Sequence, residues 1–273
     1  MHILFIGYGK TSQRVAKHLF GQGHQITTIS QSPKTDPFAN HLIQDVHQLD
    51  LSQIAPVDWV YVLLSPQQST VEAYQHTYLN SVQPIVQALA DHSVQRIVVV
   101  SSTRVYGEHA GEYVDDETSI QPPDAQAEIL HQMELAWLAA YPGQVTVIRP
   151  TGIYGSSVSR MCKLAQQTQH YPNIHYSNRI HIEDLARFLA FLTQLAQPAE
   201  SYIVSNNQPI PLHEVIVWFQ QQLGLALLSL TSSGLSGRKI YASRMMSSGF
   251  QLQHPDCFQD YLAQLQSSEY KLS

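Results

Sequence analysis

MHILFIGYGKTSQRVAKHLFGQGHQITTISQ, residues 1–31, decides the fold. His2-Ile3-Leu4-Phe5-Ile6 is an almost wholly apolar run, short enough for a buried strand. It stops at Gly7-Tyr8-Gly9-Lys10-Thr11-Ser12, and a helical pattern follows. Val15 with Leu19 and Ala16 with Phe20 stand at i, i+4 on one face. Gly21 and Gly23 close that helix, and Gln25 to Ser30 reads as a second strand rich in β-branched residues. Strand, glycine turn, helix and strand within about 30 residues make the βαβ phosphate-binding unit.

The chemistry of the turn follows from its residues. Gly7 permits a tight turn, and Gly9 removes the Cβ that would hold a pyrophosphate away from the backbone. Free N–H groups opening the helix, with its dipole, favour an anion there. The third position of the pattern is usually glycine, for close helix–strand contact; here it is Ser12, the next small choice. The alternative is a glycine turn that does backbone work only. The cofactor-binding set expected here is Gly7, Tyr8, Gly9, Lys10, Thr11 and Ser12.

Bulk properties narrow the class. With 273 residues the chain can bury a sizeable core, as one large or two small domains. Charged residues make up 13%, against roughly 25% in typical domains. Glutamine, serine and histidine therefore cover much of the surface. A net charge of −6 argues against a nucleic-acid partner bound by phosphate neutralisation. No apolar run is long enough for a membrane span, and the N-terminus enters a strand directly, unlike a signal peptide. Cys162 and Cys257 lie far apart without CxxC spacing, so reduced thiols and a cytoplasmic location are expected. Among fourteen histidines, His170, His175 and His181 come closest in sequence, but no HExxH or related ligand spacing occurs. No metal site is expected, and the histidines read as scattered surface residues.

Apolar runs then alternate with helical patterns. Asp58 to Leu64 reads as a buried strand, and a polar helix runs from about Val71 to Asp91, with Pro84 able to kink or break it. Arg96 to Val100 is the strongest strand and leads into Ser101-Ser102-Thr103. After an irregular acidic stretch to Pro122-Pro123, Asp124 is a plausible N-cap for a helix to Ala140, and Val145 to Ile148 is another strand. Such strands, separated by helices, form a parallel sheet covered on both faces. Ligands sit at the carboxyl ends of its strands, where Gly7, Ser65, Ser102 and Thr151 fall. Beyond Gly155 the pattern changes. Ser156 to Tyr171 reads as a polar helix, and Leu185, Phe188, Leu189 and Leu192 mark an amphipathic one. Residues 201–204 read as a short strand, 212–223 as a helix, and Phe258 to Leu265 as a last helix. The expected division is a nucleotide-binding domain over 1–155 and a smaller cap over 156–273, with about 180–206 returning to the first.

Four ordered segments carry a resemblance: the glycine turn, Ser101-Ser102-Thr103-Arg104-Val105-Tyr106-Gly107, Arg149-Pro150-Thr151-Gly152-Ile153-Tyr154-Gly155, and Arg179-Ile180-His181-Ile182-Glu183-Asp184-Leu185-Ala186. The tail from Arg238 through Gly249-Phe250 to His254-Pro255 adds to it. The chain resembles the extended short-chain dehydrogenase/reductases, NAD(P)-dependent epimerase/dehydratases, most of all their atypical, nucleoside-diphosphate-sugar epimerase-like branch. The resemblance implies an α/β fold, a Rossmann-type doubly wound parallel sheet with a smaller C-terminal α/β cap. It implies that Ser102 bonds the substrate oxygen, that Thr151 and Gly152 lie beside the nicotinamide, that Asp45 meets the adenine, and that Leu64 and Ser65 line the cofactor. Ser101 and Ser102 as turn caps, and Arg149 as a surface ion-pair partner, are the ordinary alternatives. Relatives often form homodimers through the helices after strands four and five.

One departure weighs against standard chemistry. The family's Tyr-x-x-x-Lys sets a phenol and an ammonium on one helix face, so that the phenol can exchange a proton. Counted back from Glu134, those positions hold Gln126 and Leu130, which cannot titrate. Losing a general acid/base costs about 10²–10⁴-fold in rate. Tyr106, Tyr154 and His131 are the substitutes by family position; Tyr106 is the best of them, and His131 points about 100° round the helix from Leu130. At the end of the second strand Ser30, Gln31 and Ser32, with Lys34 nearby, offer no carboxylate for a ribose 2′-hydroxyl, which leans from NAD toward NADP. The expected function is an NAD(P)-binding oxidoreductase acting on a hydroxylated small molecule such as a sugar nucleotide. The alternative is an NAD(P)-sensing regulatory or scaffold protein without turnover.

Overall fold

The computed structural model describes residues 1–107 and 110–267. In chain order, β1 (His2–Ile6), α1 (Lys10–Gly21), β2 (Gln25–Ser30), β3 (Asn40–Ile43) and β4 (Trp59–Val62) come first. Next are α2 (Val71–Tyr74), α3 (Val82–Ala88), β5 (Arg96–Val100), β6 (Glu112–Val114), α4 (Ala125–Ala140), β7 (Val145–Pro150) and β8 (Gly152–Tyr154). Then follow α5 (Ser159–Gln167), β9 (His170–Tyr171), β10 (Ile174–Ser177), β11 (Arg179–His181), α6 (Ile182–Phe191), β12 (Ser201–Val204) and β13 (Ile210–Pro211). The last are α7 (Leu212–Gln222), β14 (Ser229–Leu230), β15 (Leu235–Ile240), α8 (Ser243–Ser247) and α9 (Cys257–Ser267).

Seven strands form the main sheet in the order β12-β7-β5-β4-β1-β2-β3, parallel from β7 to β3. Strand order reverses at β1, which places a crevice outside its carboxyl end. All five residues of β1 are buried, and Phe5 stacks on Tyr61 of β4 with ring centroids 4.9 Å apart. This is the Rossmann-type sheet that the near-continuous apolar strands require.

Two compact units result. The first comprises residues 1–107, 119–149 and 186–202; the second holds 110–118, 150–185 and 203–267 of the described chain. The second has a smaller sheet, β13-β10-β15-β6, and its own core of Cys162, Val215, Phe219, Cys257, Tyr261 and Leu265 from α5, α7 and α9.

Several expectations need correction. Phe20 does not share the buried face of α1: Ser12, Val15, Ala16 and Leu19 form that stripe, while Phe20 is 50% exposed at its edge, against Phe38. The helix from Val71 to Asp91 is three pieces, with a π turn over Gln75–Leu79 and an interruption at Asn80-Ser81. Pro84 sits in the first turn of α3, where its missing N–H leaves no bond unmade. The polar helix after Gly155 is shorter than expected, because His170 and Tyr171 pair with β14 instead. Not all histidines are superficial: His2 and His181 are buried.

Candidate functional site

The turn from β1 to α1 is shaped by backbone contacts. Gly7 has φ +90°, and a Cβ there would collide with the Leu63 carbonyl oxygen. Only glycine accepts both constraints. The Ser12 hydroxyl donates to the Gly7 carbonyl at 2.7 Å, so serine in the third position pins the turn to the helix it opens. Gly9 is the N-cap of α1, with no side-chain cap and no acidic residue in the first turn. A Cβ on Gly9 would meet no protein atom within 4 Å. The helix therefore offers uncapped N–H groups and its positive end to open space, the arrangement that suits an anion.

That space is a cavity of about 570 Å³ at the carboxyl ends of β1, β2, β3 and β4. Gly7, Tyr8 and Gly9 line it from the turn, Ser30, Gln31, Ser32 and Lys34 from beyond β2, and Leu63, Leu64 and Ser65 from beyond β4. None of the lining residues carries a carboxylate, and Lys34 supplies a cation. Burial raises the Tyr8 phenol above its ordinary pKa, with the Asp36 carboxylate adding to the effect, so Tyr8 stays neutral. The glycine cradle, the uncapped helix and the carboxylate-free wall fit the anionic diphosphate of a dinucleotide.

Other expected residues lie elsewhere. Lys10, Thr11 and Ser12 are in the first turn of α1 but do not line the cavity, and the Ser12 hydroxyl is turned back on Gly7. Asp45 caps a short turn by accepting from the His47 N–H at 2.9 Å and receives the Gln31 amide at 3.3 Å; its neighbours Gln44 and Val46 line the cavity. In the second unit, Thr151 gives both its N–H and its hydroxyl to the Val204 carbonyl, and the Gly152 N–H bonds the Asn178 carbonyl.

The residues after β5 serve several ends. Ser102 Oγ accepts the Arg104 N–H at 3.1 Å, which caps the turn and leaves its own proton free to be donated. Tyr106 is fully buried and accepts from Arg149 at 3.1 Å. Arg149 also reaches the buried Glu134 at 2.8 Å. Burial alone would lower the guanidinium pKa, but hydrogen bonds and charge from Glu134 outweigh it and raise it. Gln126 is fixed by Arg104 and by its own bond to the Ser69 carbonyl at 2.8 Å, and Leu130 is buried. Neither position where the resemblance expects Tyr and Lys holds a titratable group.

His47 and His76 escaped the sequence reading. Their rings stack with centroids 4.0 Å apart, and both line the cavity. The π turn brings His76 and Thr77 to the wall alongside Ala73 of α2, and π turns concentrate at functional sites. No local pattern announces such a turn. Among the described residues one group of metal-ligand type exists, His181, His254 and Asp260. His170 and His175 instead bond Ser229 and Ser236. No helix among the described residues is long and apolar enough to cross a membrane.

Comparison with known proteins places this geometry among relatives. A sequence model described as NAD(P)H-binding matches residues 7–193. Protein YeeZ of Escherichia coli K12 is 26% identical, over 93% of this chain and 96% of its own. A Methylobacillus flagellatus structure named for the NAD-dependent epimerase/dehydratase class is 29% identical with a TM-score of 0.81, covering 97% of this chain and 98% of that one. The human epimerase family protein SDR39U1 (isoform 2), solved with NADPH, has a TM-score of 0.76 at 17% identity over 98% of this chain and 100% of that one, a likeness of fold.

Proposed function

The chain belongs to the NAD(P)H-binding family, and from that membership we propose an NAD(P)-dependent oxidoreductase of the epimerase/dehydratase type. Its substrate is a hydroxylated metabolite such as a sugar nucleotide, and it takes NADP in preference to NAD. The observation that carries this reading is the cavity beside Gly7 and Gly9, lined by Lys34 and by no carboxylate.

The bound dinucleotide supplies hydride chemistry. The chain's own residues do the holding. Backbone N–H groups of Tyr8 and Gly9, with the positive end of α1 behind them, receive the diphosphate; Ser30, Gln31, Ser32 and Lys34 receive the phosphorylated ribose, and Leu64 and Ser65 form the facing wall. Asp45 acts through the turn that it caps, which carries Val46 and His47. The free Ser102 proton is donated to the substrate oxygen. Tyr106 is a positioning residue, since burial and Arg149 occupy it.

A second reading is favoured by Gln126 and Leu130: a sensor that binds NAD(P) without turnover. Fluorescence titration with NADPH and NADH in parallel tests the cofactor. Lys34→Ala is expected to weaken NADPH by roughly tenfold, about 1.4 kcal/mol, and to leave NADH unchanged. Equal losses for both would refute the NADP preference, and no binding of either would overturn the whole reading. Mixing the NADPH complex with a panel of carbonyl metabolites and sugar nucleotides separates enzyme from sensor. Oxidation of bound NADPH supports the enzyme; tight binding with none across the panel supports the sensor.

A further inference from the structure

Tyr154, His181, His254 and Asp260 form a cluster in the second unit that the dinucleotide reading leaves unused. Strands β8 and β11 pair in parallel with Tyr154 opposite His181. Gly155 follows with φ +100°, and a Cβ on it would occupy the His181 ring. His181 Nδ1 accepts the Glu183 N–H at 3.3 Å. The His254 ring lies on the His181 ring, with centroids 3.7 Å apart and planes 24° from parallel.

His254 is held from two sides. Its Nδ1 is 2.7 Å from Asp260 Oδ1, and Asp260 Oδ2 receives the Tyr154 hydroxyl at 2.6 Å. An ionised carboxylate only accepts, so Nδ1 carries the proton and Nε2 keeps its lone pair. The loop bearing the ring is fixed by the buried Asp184, which accepts the N–H groups of Gln253 and His254 at 2.9 and 2.8 Å. Nε2 has no hydrogen-bond partner among the described residues, and the His254 side chain is 28% exposed.

Ligand atoms of His181, His254 and Asp260 lie within 4.8 Å of one another, close enough to suggest a metal ion. The stack argues against one. Two imidazoles on a tetrahedral ion diverge from it, and with metal–nitrogen bonds of about 2.0–2.1 Å their ring centres stand roughly 5 Å apart. At 3.7 Å the rings lie face to face, with lone pairs in separate planes. A carboxylate on Nδ1, an open Nε2 and a rigid loop describe instead an oriented base.

We propose that His254 is a proton-accepting site in the second unit, oriented by Asp260 and open at Nε2 to a hydroxyl donor. A ligand hydroxyl donates its hydrogen bond to the Nε2 lone pair while Nδ1–H donates to Asp260, so the ring is oriented to accept a proton beside a carboxylate that balances the charge. Other titratable groups near the stack are His181, Glu183 and Asp184 from β11 and α6, Tyr154 from β8, and Asp256, Cys257 and Asp260 at α9. Burial, then His254, holds the His181 pKa below its ordinary value. Nothing in this site requires the dinucleotide, so its failure and the failure of the cofactor reading are separate results.

The test is long-range ¹⁵N–¹H spectroscopy of the histidines in the full chain, with site-resolved diethyl pyrocarbonate modification read by mass spectrometry. The expected result is His254 protonated on Nδ1 near neutral pH and carbethoxylated on Nε2 several-fold faster than His181. Asp260→Asn should remove most of that advantage, and the gentler Tyr154→Phe should reduce it while the unit stays folded. Protonation on Nε2, or a His254 rate no greater than that of His181, would overturn the proposal. So would stoichiometric Zn²⁺ binding that protects both histidines, since the site would then be a metal centre.

Discussion

The two units place their buried charges in opposite ways. The first keeps carboxylates off its cavity wall and closes a deeply buried ion pair, Arg149–Glu134, under Tyr106. The second uses aspartates as internal clamps. Buried Asp116 accepts the N–H groups of Ile203 and Arg244 and the Ser243 hydroxyl, while Asp184 holds the loop before α9. A wide parallel sheet pairs its own backbone and needs few side-chain acceptors. The second unit, built on a smaller sheet, leaves more loop N–H groups to be satisfied, and aspartate supplies the acceptors.

That contrast is sharpest at Glu134. Glu134→Gln leaves the Arg149 guanidinium buried without its counter-charge, and losing one partner of a buried pair costs about 3–5 kcal/mol. Urea unfolding should register that loss. Replacing both partners, Arg149→Met with Glu134→Leu, should restore much of it. A Glu134→Gln variant as stable as the parent would show that the first unit tolerates an unpaired internal charge, and the contrast would break.

A smaller effect is expected at Gly7. Gly7→Ala forces a side chain into a left-handed backbone conformation and against the Leu63 carbonyl. Strain of this kind costs on the order of 1–3 kcal/mol. Because the same turn forms the cradle, NADPH affinity should fall together with the melting temperature. Gly9→Ala has open space around its Cβ and should reduce affinity with little change in stability. If Gly9→Ala binds NADPH like the parent, the cradle is not where the diphosphate sits.

These two sites also mark what the sequence makes legible. Gly7 announces itself because a strand, a positive φ and a close backbone neighbour admit one residue type, and the pattern is contiguous. The buried strands are legible for the same reason, since apolar content over four to six residues suffices. The stacked His47 and His76 are not, because a π turn shifts which residues of a helix face inward and leaves no periodic trace. His181 and His254 are further apart still. Their meeting depends on Asp184 capturing a distant loop, and only the fold brings them together. Ser12 falls between: its small size was readable, but its hydrogen bond to Gly7 was not.

The smallest expected effect lies at the surface of the first unit, where Arg104 meets Asp124 at 2.8 Å with both side chains more than a third exposed. Asp124 also caps α4 by accepting the Ala127 N–H at 2.8 Å, so Asp124→Ser keeps the cap and removes the charge. Hydrogen bonding to Arg104 holds the Asp124 carboxyl below its ordinary pKa. A carboxyl depressed on folding stabilises the folded state fully above its unfolded pKa, and the contribution fades as pH falls through the depressed value. Solvent screening keeps such a pair below about 1 kcal/mol. Asp124→Ser should therefore cost a few tenths of a kcal/mol at neutral pH and less in acid, measured by urea unfolding at both. Loss of the same size at both would assign the effect to the cap alone. A loss well above that range would mean that Arg104, which also fixes Gln126, ties a surface pair to the position where the resemblance expects a tyrosine.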